Sequence, residues 1–129
     1  MKCEICGKTA STVCPRCYRY ICEHCTDPIT LYCIDCSSFK KWQEEDYIRY
    51  INSLSNKINY MFKIFGKKEC MVCPLYKDSV MSSLRKVKEL EQITKLEDLE
   101  RAYEEVVKIK ESAQKLAIEY LIKYVKSLG

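Results

Sequence analysis

The sequence predicts a mostly α-helical protein with a small cysteine-rich module over residues 1–36, and three observations carry that expectation. All ten cysteines fall in Cys-x-x-Cys pairs, and four of the five pairs precede Ser37. After Ser37 the apolar residues recur at spacings of three and four, as in amphipathic helices. Only three glycines and three prolines interrupt the 129 residues, and 31% of them are charged, a balance that suits long solvated helices better than a loop-rich sheet.

The module's pairs are Cys3-Glu-Ile-Cys6, Cys14-Pro-Arg-Cys17, Cys22-Glu-His-Cys25 and Cys33-Ile-Asp-Cys36, separated by seven, four and seven residues. One such turn presents two thiolates to one metal ion, so eight thiolates make two four-cysteine sites. Sequential pairing closes each site across seven residues. Interleaved pairing sets Cys3, Cys6, Cys22 and Cys25 on one ion and Cys14, Cys17, Cys33 and Cys36 on the other, with fifteen residues between the knuckles of each site. That length is usual for paired Cys-x-x-Cys zinc sites and favours interleaving. Residues 3–17 and 22–36 also read as a repeat offset by 19, which a duplicated one-zinc unit would produce too. The expected cofactor is zinc, two ions per chain, with iron as the alternative that colour would reveal. Ile5, Val13, Tyr18, Tyr20, Ile21, Ile29, Leu31, Tyr32 and Ile34 are too few for an independent core. Metal binding supplies the missing folding free energy, on the order of 10 kcal/mol per site. A four-thiolate site has no open position at which to activate water.

The helical part follows. Ser37 or Ser38 can cap a helix directly after Cys36. Its buried stripe runs through Tyr47, Tyr50, Ile51, Leu54, Ile58, Met61, Phe62 and Phe65, and Gly66 offers a left-handed end. Residues 67–77 read as a loop because Pro74 lacks an amide hydrogen and pushes Cys73 out of helical geometry. Asp78 can cap the next helix, which carries Val80, Leu84, Val87 and Leu90 on one side. Thr94-Lys-Leu-Glu97 fits a capping box, so a break is expected near Ile93 and a fresh helix from Lys95. That helix's stripe is Leu96, Leu99, Tyr103, Val106, Ala113, Ala117, Tyr120, Tyr124 and Leu128. One unbroken helix from Asp78 to Leu128 is the competing reading. The rods from Ser38 and Lys95 would be roughly 40 Å and 50 Å long, so they must pack together. An antiparallel hairpin turning at the Cys70 loop is the economical arrangement. Such a hairpin would leave one flank of the last rod open, with Val107, Ile109, Leu116, Ile118, Ile122 and Val125 on it. A second chain could cover that flank.

Charge narrows the function classes. The net charge is +4, with six Lys/Arg against four Asp/Glu in residues 1–41 and sixteen against fourteen in the rest. This permits a nucleic-acid partner without demanding one. Arg16, Arg19, Lys40 and Lys41, with Tyr18, Tyr20 and Trp42, are the candidate nucleic-acid contacts, against solvated cations and tyrosines that cover zinc. Trp42 is expected in a core between module and helix, and His24 as a solvated knuckle residue. The acidic residues form no acid–base pair, so no catalytic residue is assigned and no enzyme is expected. No apolar leader follows Met1 and no run approaches a bilayer span, which gives a cytoplasmic, reduced expectation. Lys, Glu, Ile and Tyr are abundant while Asn, Gln and His are scarce, a bias shared with thermophile proteins, whose cytosols tolerate disulfides.

The run Cys-x2-Cys-x7-Cys-x2-Cys-x4-Cys-x2-Cys followed by two more ligands resembles the B-box, a two-zinc cross-brace. Cys14-Pro-Arg-Cys17-Tyr-Arg-Tyr-Ile-Cys22 is similar to the HIT-type zinc finger. Both usually carry histidine among their last ligands, where Cys33 and Cys36 stand here. The resemblance covers about a quarter of the chain. It implies an interleaved cross-brace used for protein contacts, in HIT-finger proteins for assembling ribonucleoprotein or remodelling complexes. In tripartite-motif proteins a B-box precedes a dimerising coiled coil, and the order here is alike.

Cys70-Met-Val-Cys73-Pro74 is similar to the zinc hook of double-strand-break repair ATPases, where two chains share one ion. A shared zinc, a redox disulfide and free thiols all remain open for Cys70 and Cys73.

The resulting expectation is a two-zinc cross-brace at 1–36 followed by a helical hairpin or three-helix unit at 37–129. The expected role is a non-enzymatic adaptor for protein partners, with no membrane and no small-molecule substrate, that self-associates as a homo-oligomer. The alternative is a nucleic-acid- or ribonucleoprotein-binding factor. A ubiquitin-ligase-like or redox protein comes third, since the first loop is short for a RING and no βαβ context surrounds the fifth pair.

Overall fold

The computed structural model describes residues 1–67 and 73–128. Contacts divide the chain into two units, Met1–Glu44 and Glu45–Gly129. Among the described residues three α-helices follow a small cysteine-rich region, and the protein is mostly α. No helix among the described residues is long and apolar enough to cross a membrane.

The first unit contains two short strands, β1 (Thr12–Val13) and β2 (Tyr20–Ile21), paired antiparallel with Thr12 opposite Ile21 and Val13 opposite Tyr20. A 3₁₀ turn follows at Glu23–Cys25, and helix α1 begins at Ile34. The buried cluster consists of Cys3, Cys14, Cys22, Cys25 and Cys33 around Ile21. Ile21 is its one fully buried side chain that is not a cysteine, while Ile29 is 90% exposed and Val13, Leu31 and Ile34 also face solvent. The apolar residues expected to fill the module therefore mostly stand outside it.

Helix α1 (Ile34–Lys63) starts one turn before Ser38 and supplies residues to both units. The expected serine cap is replaced by Cys33, whose sulfur accepts the Cys36 amide at 3.3 Å. Ser37 lies inside the helix and is buried. Its hydroxyl donates to the Asp27 carboxylate.

The second unit is a three-helix arrangement of the rest of α1 with α2 (Pro74–Leu96) and α3 (Glu100–Leu128). Helix α2 begins at Pro74, before the expected cap Asp78. A proline at the first position needs no amide partner and has its φ preset for a helix. Gly66, after the end of α1, takes φ +92°, the left-handed ending its sequence position suggested. The expected break near Ile93 lies slightly later, at Glu97–Leu99. Thr94 is no N-cap: its buried hydroxyl donates to the Leu90 carbonyl at 2.7 Å. The ending is a Schellman motif. The Leu99 amide reaches the Thr94 carbonyl at 2.9 Å and the Asp98 amide reaches Lys95 at 3.3 Å. Asp98 supplies the positive φ, +57°, that a glycine usually provides. The Leu99 carbonyl then accepts from Tyr103 in the first turn of α3.

Tyr76 near the start of α2 meets Tyr120 near the end of α3, with ring centroids 5.6 Å apart. Lys110 crosses to Glu91 at 2.9 Å, so α2 and α3 run antiparallel. Tyr76 also donates to the Met61 carbonyl at 2.9 Å, tying α2 to α1. The core takes Ile51, Leu54, Ile58 and Met61 from α1, Val80, Val87 and Leu90 from α2, and Ala102, Val106, Ala113, Leu116 and Tyr120 from α3. Ile109 and Leu116, from the flank expected to stay open, are buried. Val107, Ile118, Ile122 and Val125, from the same expected flank, stay exposed together with Leu121.

Leu96 and Leu99 lie on one expected stripe, yet Leu96 is 85% exposed and Leu99 fully buried. Leu99→Ala should cost about 2–5 kcal/mol of unfolding free energy, and Leu96→Ala less than about 0.5. Chemical denaturation of the two variants checks this; equal losses would contradict the link described at 97–99.

Candidate metal centre

The first two cysteine pairs use the same turn twice. Gly7 donates its amide to the Cys3 carbonyl at 2.9 Å, and Tyr18 donates to Cys14 at 2.8 Å. The Cys3 amide returns to Lys8 at 2.6 Å and the Cys14 amide to Arg19 at 2.9 Å. Each turn needs a left-handed residue after its second cysteine: Gly7 at φ +80° and, less comfortably, Tyr18 at φ +64°. The third pair is the 3₁₀ turn, closed by Cys25 N–H to the Cys22 carbonyl at 3.1 Å and by the Thr26 hydroxyl to the same carbonyl at 2.8 Å. The fourth pair opens α1.

The sulfurs of Cys3, Cys6, Cys22 and Cys25 all lie within 4.8 Å of one another, and so do those of Cys14, Cys17, Cys33 and Cys36. The turns therefore meet first with third and second with fourth. Cys6 and Cys22 approach to 3.4 Å and Cys17 and Cys33 to 3.8 Å, well beyond the roughly 2.05 Å of a disulfide. A tetrahedral zinc with bonds of about 2.3 Å sets its sulfurs about 3.8 Å apart, so both groups suit a zinc ion.

The electrostatics call for a cation. Burial opposes ionisation of Cys3, but the amides of Cys6, Ile5 and Cys22 outweigh it and bring the thiol down to about 6. Cys14 is likewise brought to about 6, against burial, by the amides of Cys17, Cys33 and Arg16. Within the same groups, burial and the crowd of neighbouring sulfurs push Cys25 and Cys36 up to about 12. Four thiolates in one sphere repel one another, and a divalent ion removes that repulsion.

Two supporting side chains carry no ligand signature in the sequence. Asp27 accepts from Ser37, from the Ile29 amide at 2.8 Å and from the Thr30 amide at 3.4 Å. The Ser37 hydroxyl, then the Ile29 amide, hold its carboxyl below the usual range. Asp-Pro-x-Thr is a turn-forming string that could have revealed this. Arg19, one of the candidate nucleic-acid contacts, donates from Nε to Cys17 Sγ at 3.3 Å and from Nη2 to Cys33 Sγ at 3.2 Å. The same Nη2 reaches Asp35 at 3.0 Å.

Of the four candidate nucleic-acid residues, two share a groove and one lines another. Arg16 and Lys40 line one groove with Asp35 and Phe39. Lys41 lines another with His24, Ile29 and Ile34. Lys40 also sits 5.7 Å from the centre of the Tyr32 ring. Trp42 is 57% exposed rather than buried in a core. It stacks on Phe39 with centroids 6.0 Å apart, one helical turn away on the same face. Of the fifth pair, Cys73 is half-buried beside the helical core, and Cys70 lies outside the described residues.

No protein-family model, no curated protein and no solved structure matches the chain.

Proposed function

We propose that this chain is a non-enzymatic zinc-binding adaptor that joins protein partners, a second copy of itself among them. One observation supports this most: two closed sets of four sulfurs carry a module whose apolar side chains, Tyr18, Ile29, Leu31, Phe39 and Trp42, project into solvent. With four thiolates per ion there is no open coordination position, so the metal acts as a structural centre rather than a catalyst. The finer reading as a B-box-like or HIT-type finger rests on the spacing of the pairs, with Cys33 and Cys36 in place of the usual histidines. A reducing cytoplasmic setting goes with it, since free thiolates there favour metal over disulfide. Self-association is supported by the exposed face of α3 that carries Ile118, Leu121, Ile122 and Val125.

Native mass spectrometry should find two zinc ions per chain, and Cys14→Ser should remove one. The finer claim of a further zinc shared between chains through Cys70 and Cys73 predicts about half an ion more, lost with Cys70→Ser and Cys73→Ser. A count of two in the wild type refutes that finer claim alone.

Chelation should unfold residues 1–44 and leave most of the far-UV helix signal, because the core of the second unit contains none of the eight cysteines of the two groups. Loss of all structure in one transition would contradict this.

The second reading, binding of single-stranded nucleic acid, is favoured by the exposed Phe39–Trp42 stack beside Arg16 and Lys40. It is weakened by the engagement of Arg19. Sedimentation at micromolar concentration and titration with labelled RNA at low and high salt separate the two. A salt-sensitive complex with a monomeric chain supports the nucleic-acid reading, and a dimer indifferent to RNA supports the adaptor.

A further inference from the structure

The two four-cysteine groups are built from the same turns but differ in charge. Each has one exposed cysteine, the second of its first pair, Cys6 in one and Cys17 in the other. Arg19 covers Cys17 and bridges it to Cys33 through two N–H donors. Such a fork reduces the electron density on both sulfurs and holds them in place. Lys8 occupies the equivalent position after Cys6, but among the described residues its ammonium makes no contact with a sulfur. An ammonium is a strongly hydrated point charge on a flexible stem, so it does not substitute for the fork.

The helix adds to the difference. Cys33 stands directly before the 30-residue helix α1, at its positive dipole end, and its sulfur accepts the Cys36 amide. The corresponding third pair has only a three-residue 3₁₀ turn. The intervening residues point the same way. Glu4 and Glu23 lie within the pairs of the first group, against Arg16 and Asp35 in the second.

We infer that the first group is a peroxide-responsive modification site and that Cys6 is its nucleophile. This rests on the zinc reading above. In the first step the Cys6 thiolate attacks one oxygen of hydrogen peroxide. A sulfur–oxygen bond forms, the oxygen–oxygen bond breaks, and hydroxide leaves, so Cys6 is oxidised to the sulfenic acid while peroxide is reduced. In the second step the Cys22 thiolate, 3.4 Å away, attacks that sulfur. A disulfide forms, the sulfur–oxygen bond breaks and a second hydroxide leaves. Both hydroxides take protons from solvent. Cys3 and Cys25 alone would be left to hold an ion in the first group, too few thiolates for a closed site, and on its release both would take up protons. In the second group the Arg19 fork opposes the first attack, so all four thiolates would remain to hold zinc.

The test treats the full chain, first shown by native mass spectrometry to hold two zinc ions, with one equivalent of hydrogen peroxide and then with an excess. A chromogenic zinc chelator follows release and peptide mapping locates the oxidised cysteines. One ion should leave first, with a Cys6–Cys22 disulfide and an intact second group. In Arg19→Ala, checked for two ions before treatment, the second ion should leave on the order of tenfold faster, the low end for loss of an outer-shell partner. Release of both ions together from the wild type, or oxidation of Cys17 before Cys6, would overturn the proposal. So would Arg19→Ala releasing its second ion no faster. A chain that holds no zinc at the outset fails the zinc reading itself, before peroxide is added.

Discussion

Eight sulfurs gathered into two groups create a repulsion that the rest of the first unit is arranged around. Within each group backbone amides favour charge on one sulfur while burial and the crowd of neighbouring sulfurs suppress it on another. A divalent cation resolves both tendencies, because it prefers every ligand deprotonated. Apolar burial is a weak alternative in this unit, since Ile21 is the one non-cysteine in its buried cluster. Burying one isoleucine contributes on the order of 2 kcal/mol, far less than a structural zinc site. The strand pair, with only two residues in each partner, sets register between pairs of ligands rather than supplying a core.

The same constraint reaches into α1. Cys33 stands where a serine or aspartate usually begins a helix, and its sulfur takes over the capping role by accepting the Cys36 amide. Cys14 Sγ in turn accepts the Cys33 amide at 3.2 Å. Nucleating a helix and completing a metal group are thus one local event at Cys33–Cys36. The bond from Ser37 to Asp27 then joins that first turn to the loop before it. In the second unit stability has an ordinary origin: Val80, Val87, Val106 and Leu116 are almost fully buried between helices.

How much of this was legible in the sequence depended on the kind of signal. Identical Cys-x-x-Cys spacings and the fifteen-residue loops between them led to the same two groups of four that the fold assembles. Periodicity located the helices, and Gly66 marked the end of one because few other residues take a positive φ. Helix beginnings were misjudged wherever a residue had two roles. Cys33 read only as a ligand, Pro74 only as a breaker, and Thr94 only as a cap. Asp98 escaped notice because the Schellman ending normally shows a glycine, and an aspartate in the left-handed region leaves no distinct mark. Arg19 has a further role that spacing alone does not show, because the two sulfurs and the carboxylate within its reach are assembled only by the fold.

A metal-centred module also changes what its apolar residues are free to do. In a small domain held by apolar burial, an isoleucine left 90% exposed forfeits stability that the fold needs. Where thiolate–metal bonds supply that stability, Ile29 and Leu31 can face solvent without loss of the fold. Tyr18 and Leu31 even hold positive φ values of 64° and 65°, a backbone conformation that costs an ordinary side chain about 1 kcal/mol or more. Tyr18 tolerates it because its turn must close for Cys14 and Cys17 to converge. Leu31 tolerates it because its amide bonds back to the Asp27 carbonyl at 2.8 Å, and the Asp27 amide to Tyr32 at 2.8 Å. The backbone around both residues is fixed from within, so their exposed side chains are presented in defined directions before any partner arrives. A surface ordered in advance loses little conformational entropy on binding, and that economy is the physical basis for reading the module as a docking surface.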